Sequence, residues 1–290
     1  MGEMIGLGLL EEIIETILWT GNIRDGIPLS CFLISDPGSG KSRTLIPFHG
    51  PSLHRSDDMT SSGLLDIMER DKEGKVKHIL ISDFNAILSH KSSTTNLTMG
   101  NLLSLMSEGT VRIDDGRRNK EIPHAPIGLI VGITPKMFES KFPQWDMIGF
   151  RRRFLPIFYC YKAETVREIM KSIGDGKTSM ASKSLKNVVL PPKQNKPAWN
   201  DTGKRYLDSL AFQFTENLAQ QPRISYGPDR SMVITPETGK VPLPFTPMQM
   251  LQEIAEAHAL RGRSGRVREE DLKFASMVVD FTRYGRPVAL

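Results

Sequence analysis

The sequence predicts an α/β protein, a parallel sheet flanked by helices and followed by a small α-helical unit. Three observations predict it. Four short, uninterrupted apolar runs, Leu29–Ile34, His78–Ser82, Gly128–Ile133 and Phe154–Tyr161, read as strands buried on both faces. Helical periodicity separates them, and alternating strands and helices build parallel sheets. Beyond residue 200 the pattern turns helical, in Asp201–Leu218, Thr246–Arg261 and Arg268–Phe281.

Taken in order, residues 4–19 place Ile5, Leu9, Leu10, Ile13, Ile14, Ile17 and Leu18 at helical spacing and stop at Thr20-Gly21. The first strand runs into Ser35–Ser42, after which Thr44–Ile46 continues a short helix. Asn96–Ser107 reads as a helix. Thr110–Ile113 and Ile122–Ile127 flank a basic tip, Asp114–Lys120, and form a hairpin signal. Three arginines, Arg151–Arg153, precede the fourth strand. The Lys-, Ser-, Gly- and Pro-rich stretch Ser172–Lys204 reads as a linker. Asp201 or Thr202 is the expected cap of the helix after it, Thr246-Pro247 opens the next, and Arg268-Glu269-Glu270-Asp271 gives the last an acidic start. The division expected is 1–165 for the α/β core, 166–200 for a linker and 201–290 for the helical unit.

Composition excludes several classes. The chain has 290 residues and a formal charge of +5, with 24 Gly and 19 Pro that follow no period, so neither a collagen-like nor a wholly disordered chain fits. Cys31 and Cys160 make no disulfide framework and no metal spacing, and a reducing, intracellular (cytoplasmic) setting is expected. No apolar run approaches the ~18 residues of a membrane span. Glu11, Glu12 and Glu15 interrupt Met4–Trp19, which therefore does not read as a signal peptide. The six histidines show no metal spacing.

The strongest chemical signal is Ser35-Asp36-Pro37-Gly38-Ser39-Gly40-Lys41-Ser42. It matches G-x-x-x-x-G-K-[ST] with Ser35 in place of the first glycine. Gly38 and Gly40 let backbone N–H groups wrap phosphates, Lys41 reaches the terminal phosphates, Ser42 supplies a hydroxyl for Mg²⁺, and the helix after Gly40 adds its positive end. ATP and Mg²⁺ are the implied ligands. Ser35 has to accept whatever backbone angle a glycine takes there.

With this loop, the ordered set of motifs resembles an AAA+ ATPase, specifically the motor domain of the minichromosome maintenance (MCM) group. Ser61-Ser62-Gly63-Leu64 is similar to the family's Ser-Ser-x-x-Gly-Leu, and Ile81–Asn85 to its Ile-Asp-Glu-Phe-Asp. Met106–Ile113 resembles Met-Glu-Gln-Gln-Thr-Val-Ser-Ile, Thr134-Pro135 the sensor Asn-Pro, and Arg153-Phe154 the start of the arginine-finger Arg-Phe-Asp. Glu256–Ala259 and Glu269–Asp271 look like the helical lid. The resemblance implies a P-loop AAA+ core with a lid. It also implies a homo-oligomeric ring or filament and ATP-driven translocation on, or remodelling at, DNA without sequence specificity. In it Thr134 senses the γ-phosphate, Arg153 acts in trans, and Arg117, Arg118 and Lys120 at the hairpin tip touch the nucleic-acid backbone.

The departures from the family bear on turnover. Aligned without gaps, Ser82 takes the Walker B aspartate's place and Asp83 the catalytic glutamate's, so Ser42, Ser82 and Asp83 form the expected metal set. Shifted by one, Asp83 becomes the metal-side residue and Phe84 the catalytic position, which predicts nucleotide binding with little hydrolysis. Met248 stands where the lid arginine is usual, with Arg223 or Arg230 as candidate substitutes. No counterpart of the family's zinc-bearing N-terminal domain and no helix-2 insertion is expected over these residues. Two other readings follow: a weakly hydrolysing, ATP-gated scaffold that assembles on DNA or a protein, and a MoxR- or chelatase-like remodeller of a protein client.

Overall fold

The computed structural model describes residues 5–71, 73–114, 119–123, 125–175, 186–226, 232–238 and 245–290. In chain order the elements are α1 (Gly8–Thr20), β1 (Ser30–Ile34), α2 (Lys41–Leu45), β2 (Phe48–His49), β3 (Leu53–Arg55), α3 (Ser61–Arg70), β4 (His78–Ile81), α4 (Phe84–Leu88) and α5 (Ser92–Glu108). They continue as β5 (Thr110–Asp114), β6 (Asn119–Pro123), β7 (Gly128–Ile133), α6 (Pro135–Met147), a 3₁₀ turn at Arg151–Arg153, β8 (Phe154–Cys160), α7 (Ala163–Gly174) and β9 (Lys186–Asn187). The chain ends with α8 (Asp201–Ala219), β10 (Gln220–Tyr226), β11 (Met232–Thr238), α9 (Phe245–Arg261), α10 (Glu269–Asp280) and β12 (Val288–Ala289).

All four expected strands join one six-stranded parallel sheet in the order β12-β8-β1-β7-β4-β3. β1 lies between β8 and β7, with Ser30 opposite Phe154, Ile34 opposite Phe158, and Ile34 opposite Ile133. Side chains alternate across the sheet. Cys31, Leu33, Ile130, Leu155 and Ile157 pack with α1, Leu45 of α2, and α8–α10. Phe32, Ile34, Val131, Ile133 and Phe154 pack with α3–α6.

The two faces define a switch point in the connections of the sheet. The connection leaving β1 begins on one face and those leaving β3, β4 and β7 run on the other. The carboxyl ends of the neighbours β1 and β7 therefore flank a topological switch point, the place where open α/β sheets bind ligands.

The elements follow from local sequence. Thr60 caps α3 by accepting from Gly63 N (3.2 Å), and Asp83 caps α4 by accepting from Asn85 N (3.0 Å). The cap of α8 is Asn200, which accepts from Gly203 N at 2.6 Å, rather than Asp201 or Thr202. Arg268 N donates to Asp271 Oδ2 (2.7 Å) at the start of α10. The hairpin is present as β5 and β6 in antiparallel register, but its returning strand is Asn119–Pro123 rather than Ile122–Ile127, which puts Lys120 in the strand opposite Ile113 and not in the tip. Residues 163–174, expected in part as linker, are helical. The helices α8–α10 do not keep a core of their own but share one apolar cluster with α1 and the sheet. Among the described residues no helix is long and apolar enough to cross a membrane. Cys31 is fully buried, which pushes its thiol pKa up, and Cys160 is half-buried; both are free thiols.

Candidate functional site

The loop Ser35–Gly40 leaves β1 at the switch point and delivers Lys41 into the first turn of α2. Gly38 and Gly40 take φ of +80° and +84°, angles that a side chain disfavours. Ser35 has no positive φ, so a glycine is not required there. Its side chain is buried, and its hydroxyl is hydrogen-bonded to Ser39 Oγ.

Lys41 turns back into the loop. Its Nζ donates to Ser35 O (2.6 Å) and Asp36 O (2.8 Å), with Ser39 Oγ at 3.3 Å and Ser35 Oγ at 3.4 Å. Burial pushes the ammonium's pKa down, while the carboxylates of Asp36 and Asp83 oppose that shift and favour the charged form. The loop thus gathers a cation on carbonyl and hydroxyl acceptors that an anionic ligand would exchange for its own oxygens. Ser42, one residue on, is exposed. The helix α2 is only five residues long, so its dipole adds less than the sequence suggested, and the site relies on Lys41 and the loop.

The neighbouring strands bring the other expected residues close. A Cβ at Gly132 of β7 would lie 2.4 Å from Ser82 O and 3.4 Å from Lys41 Cβ, so the absence of a side chain there lets the loop helix and the end of β4 approach. Thr134 follows β7 and stands before α6, its hydroxyl not used as a cap; Ser35 N donates to the carbonyl of the preceding Ile133 (3.4 Å). Asp83 is exposed at the end of β4. Ser82 is buried, and its Oγ accepts from Arg55 Nη2 at 3.3 Å.

Ser42 and the single carboxylate of Asp83 suit a Mg²⁺ ion, which takes few protein ligands and completes its shell with phosphate and water oxygens. Ser82 fits less well, because a guanidinium already faces its hydroxyl. Among the described residues no cluster of three His, Cys, Asp or Glu side chains forms a stand-alone metal site.

Three contributors were not legible as motifs. Arg55 sits in β3 with no pattern around it. Tyr161, three residues beyond the partner of Ile34, donates its hydroxyl to Ser39 O (2.8 Å). Burial beside Tyr159 pushes its pKa up to about 12, so it stays a donor. Tyr159 lies against the hydroxyls of Ser35 and Ser39; burial raises its pKa, and those hydroxyls partly offset the rise.

The arginine triplet divides its roles. Arg151 is buried, pairs with Asp146 (2.8 Å), donates to Leu218 O (3.3 Å) and lies 4.5 Å over the Phe142 ring. Arg152 and Arg153 are exposed. Arg153 donates to Ser107 Oγ (2.6 Å) and Gly149 O (2.7 Å), and the buried rings of Phe150 and Phe154 flank this turn. Because Phe154 pairs with Ser30, Arg153 lies at the amino ends of the strands, six residue steps or about 20 Å from Ser35 along β1. The two are not brought together within one chain.

Arg117 and Arg118 lie outside the described residues, as does Arg230. Lys120 lies in β6 and Arg223 in β10. Met248 packs against the core. His258 is held by Asp271 Oδ1 (2.6 Å) and stacks on Phe274, which makes it a packing residue. Arg261 is paired with Glu12 and Glu15 of α1. Comparison with protein-family models finds no matching family, and comparison with curated proteins finds no matching relative.

Proposed function

We propose that this chain binds ATP with Mg²⁺ at Ser35–Ser42 and works as an oligomeric P-loop ATPase of the AAA+ type, resembling the MCM motor, acting on DNA or a DNA-bound complex. The observation that carries the reading is the loop itself. It is a strand–loop–helix at the switch point of a parallel sheet, with two left-handed glycines and a lysine folded into its concave side.

In this reading Lys41 gives up the carbonyls of Ser35 and Asp36 to hold phosphate oxygens, and Ser42 and Asp83 hold the metal. The metal neutralises charge on the transferring phosphoryl group. Tyr161 holds the loop through its hydrogen bond to Ser39 O. Thr134 offers a hydroxyl beside β1, and Arg153, at the amino ends of the strands, serves a neighbouring copy. The hairpin of β5 and β6 carries Arg117, Arg118 and Lys120 for contact with the nucleic-acid backbone.

One observation favours the weakly hydrolysing scaffold as a second reading. Asp83 accepts from Asn85 N as the cap of α4, and Ser82 is engaged by Arg55, so the Ser82-Asp83 pair supplies one carboxylate where the family has two. Phosphate release, measured with and without single-stranded and duplex DNA, separates the two. DNA-stimulated release that disappears in Lys41→Ala and Arg153→Ala supports the motor. Tight nucleotide binding with no release supports the scaffold, and release stimulated only by a protein client supports a remodeller.

A further inference from the structure

Arg55 is a cation at the strand ends that belongs to no motif. It closes β3, where the register sets it opposite Leu80 of β4. Leu53 and Leu80 pack into the cluster that holds Leu45 of α2, whereas Ile79 and Ile81 pack on the other face. Side chains alternate along a strand. Arg55, two residues after Leu53, and Ser82, two after Leu80, therefore face the side that α2 covers. The hydrogen bond from Arg55 Nη2 to Ser82 Oγ (3.3 Å) agrees with that placement. On the same side Gly132 puts no side chain between Ser82 O and Lys41 Cβ. Arg55, Ser82 and Lys41 thus follow one another over the carboxyl ends of β3, β4, β7 and β1. Asp83 lies near enough to Lys41 to favour its charged form.

The partner that Arg55 has here is a weak one. A guanidinium holds several N–H donors in a fixed plane, and a serine hydroxyl takes one of them. Arg55 is exposed, and among the described residues no carboxylate pairs with it. An arginine that only fastened β3 to the sheet would gain more from a carboxylate. The free edge of the fork matches paired oxygens, such as those of a phosphate. Its location has a second consequence. Beside Asp83, where a metal-holding site wants another carboxylate, the chain has a neutral serine with a cation over it. Arg55 therefore offsets the charge of Asp83 without a metal ion.

We propose that Arg55 is a phosphate-binding residue of this site: its guanidinium leaves Ser82 and takes oxygens of the terminal phosphate, so that the triphosphate is held without Mg²⁺. The proposal rests on the nucleotide reading above and deepens it. A fixed cation of the same chain neutralises charge that a divalent ion would otherwise neutralise on binding. Mg²⁺ at Ser42 and Asp83 then serves phosphoryl transfer rather than affinity. A diphosphate lacks the group that Arg55 holds, so its affinity does not depend on this residue.

The test is titration calorimetry of ATP and of ADP, each in excess EDTA and in Mg²⁺. The parent is expected to bind ATP in EDTA within about tenfold of its affinity in Mg²⁺. Arg55→Ala is expected to lose at least about tenfold in metal-free ATP affinity, with ADP affinity and the urea midpoint unchanged and Arg55→Lys in between. Ser82→Asp gives the guanidinium a carboxylate partner and is expected to make ATP binding depend on Mg²⁺. This variant carries the test even where Arg55→Ala does not fold. Binding of ATP by the parent in Mg²⁺ but not in EDTA would overturn the inference and leave the nucleotide reading standing. The same holds for an Arg55→Ala chain that binds ATP in EDTA as the parent does, and for a Ser82→Asp chain that keeps the parent's metal-free affinity. An equal loss of ATP and ADP affinity in Arg55→Ala, with a lowered urea midpoint, would make Arg55 a structural residue. No binding of ATP by the folded parent in either condition would remove the nucleotide reading, and the inference with it.

Discussion

Glu253 shows how one side chain in this fold ties stability to pH. It is buried in α9, where its Oε1 accepts from Ile27 N (3.3 Å) and Gln249 Nε2 (3.4 Å). Burial, opposed by these hydrogen bonds and by Lys196, raises its pKa to about 7. The folded state therefore holds a proton that the unfolded state has released. The stabilisation is complete below about pH 4.5 and is lost as pH rises through about 7, a difference of about 3 kcal/mol at most. His78 has the opposite sense. It is buried, its Nε2 donates to Leu29 O (3.2 Å), and desolvation drops its pKa to about 3, so its neutral form costs stability as pH falls below about 6.5. Glu253→Gln keeps the acceptor oxygen and removes the titration. Its urea midpoint is expected to exceed the parent's at pH 8 and to match it near pH 5; equal midpoints at both pH values would refute the assignment. At this scale the sequence displayed Lys41, Ser42 and Asp83 as candidates, because the roles proposed for them go with a local pattern. It hid Arg55, Tyr159 and Tyr161, because their roles come from strand neighbours that only the sheet order brings together.

Among the elements, the parallel strands were the most legible, since each is buried on both faces and reads as an unbroken apolar run. α3, α4, α6 and α7 were harder to read. α4 spans five residues, α6 contains Pro143, and α7 runs into a stretch whose composition suggested a linker. The cap of α8 was displaced by one residue because Asn, Asp and Thr stand in a row and only geometry selects Asn200. The contact between the loop helix and the strand ends turns on Gly132. In Gly132→Ala the new methyl would meet a backbone carbonyl that no rotamer change can move. The expected cost is about 1–3 kcal/mol in urea unfolding, together with weaker nucleotide binding. Unchanged values of both would contradict the packing described here.

Over the whole molecule the loop Ser35–Ser42 and Arg153 lie at opposite ends of the neighbouring strands β1 and β8, so the proposed function requires more than one copy for turnover but only one for binding. Arg153→Ala is accordingly expected to bind ATP normally, to hydrolyse it poorly, and to poison the parent protein in mixed assemblies. Hydrolysis by Arg153→Ala at the parent's rate would remove Arg153 from the account. The charge clusters followed the same division. The triplet at 151–153 was legible as a cluster, but its split into one buried structural arginine and two exposed ones depends on Asp146 and the aromatic rings packed beneath it. The claim on which everything else depends is that Ser35–Ser42 holds a nucleoside triphosphate, and titration calorimetry of Mg-ATP into the parent and Lys41→Ala proteins tests it most directly. The account predicts saturable one-to-one binding to the parent that weakens at least about tenfold in Lys41→Ala, as the loss of a charge-assisted contact implies. No heat of binding to a folded parent, or equal affinity in the two proteins, would contradict it.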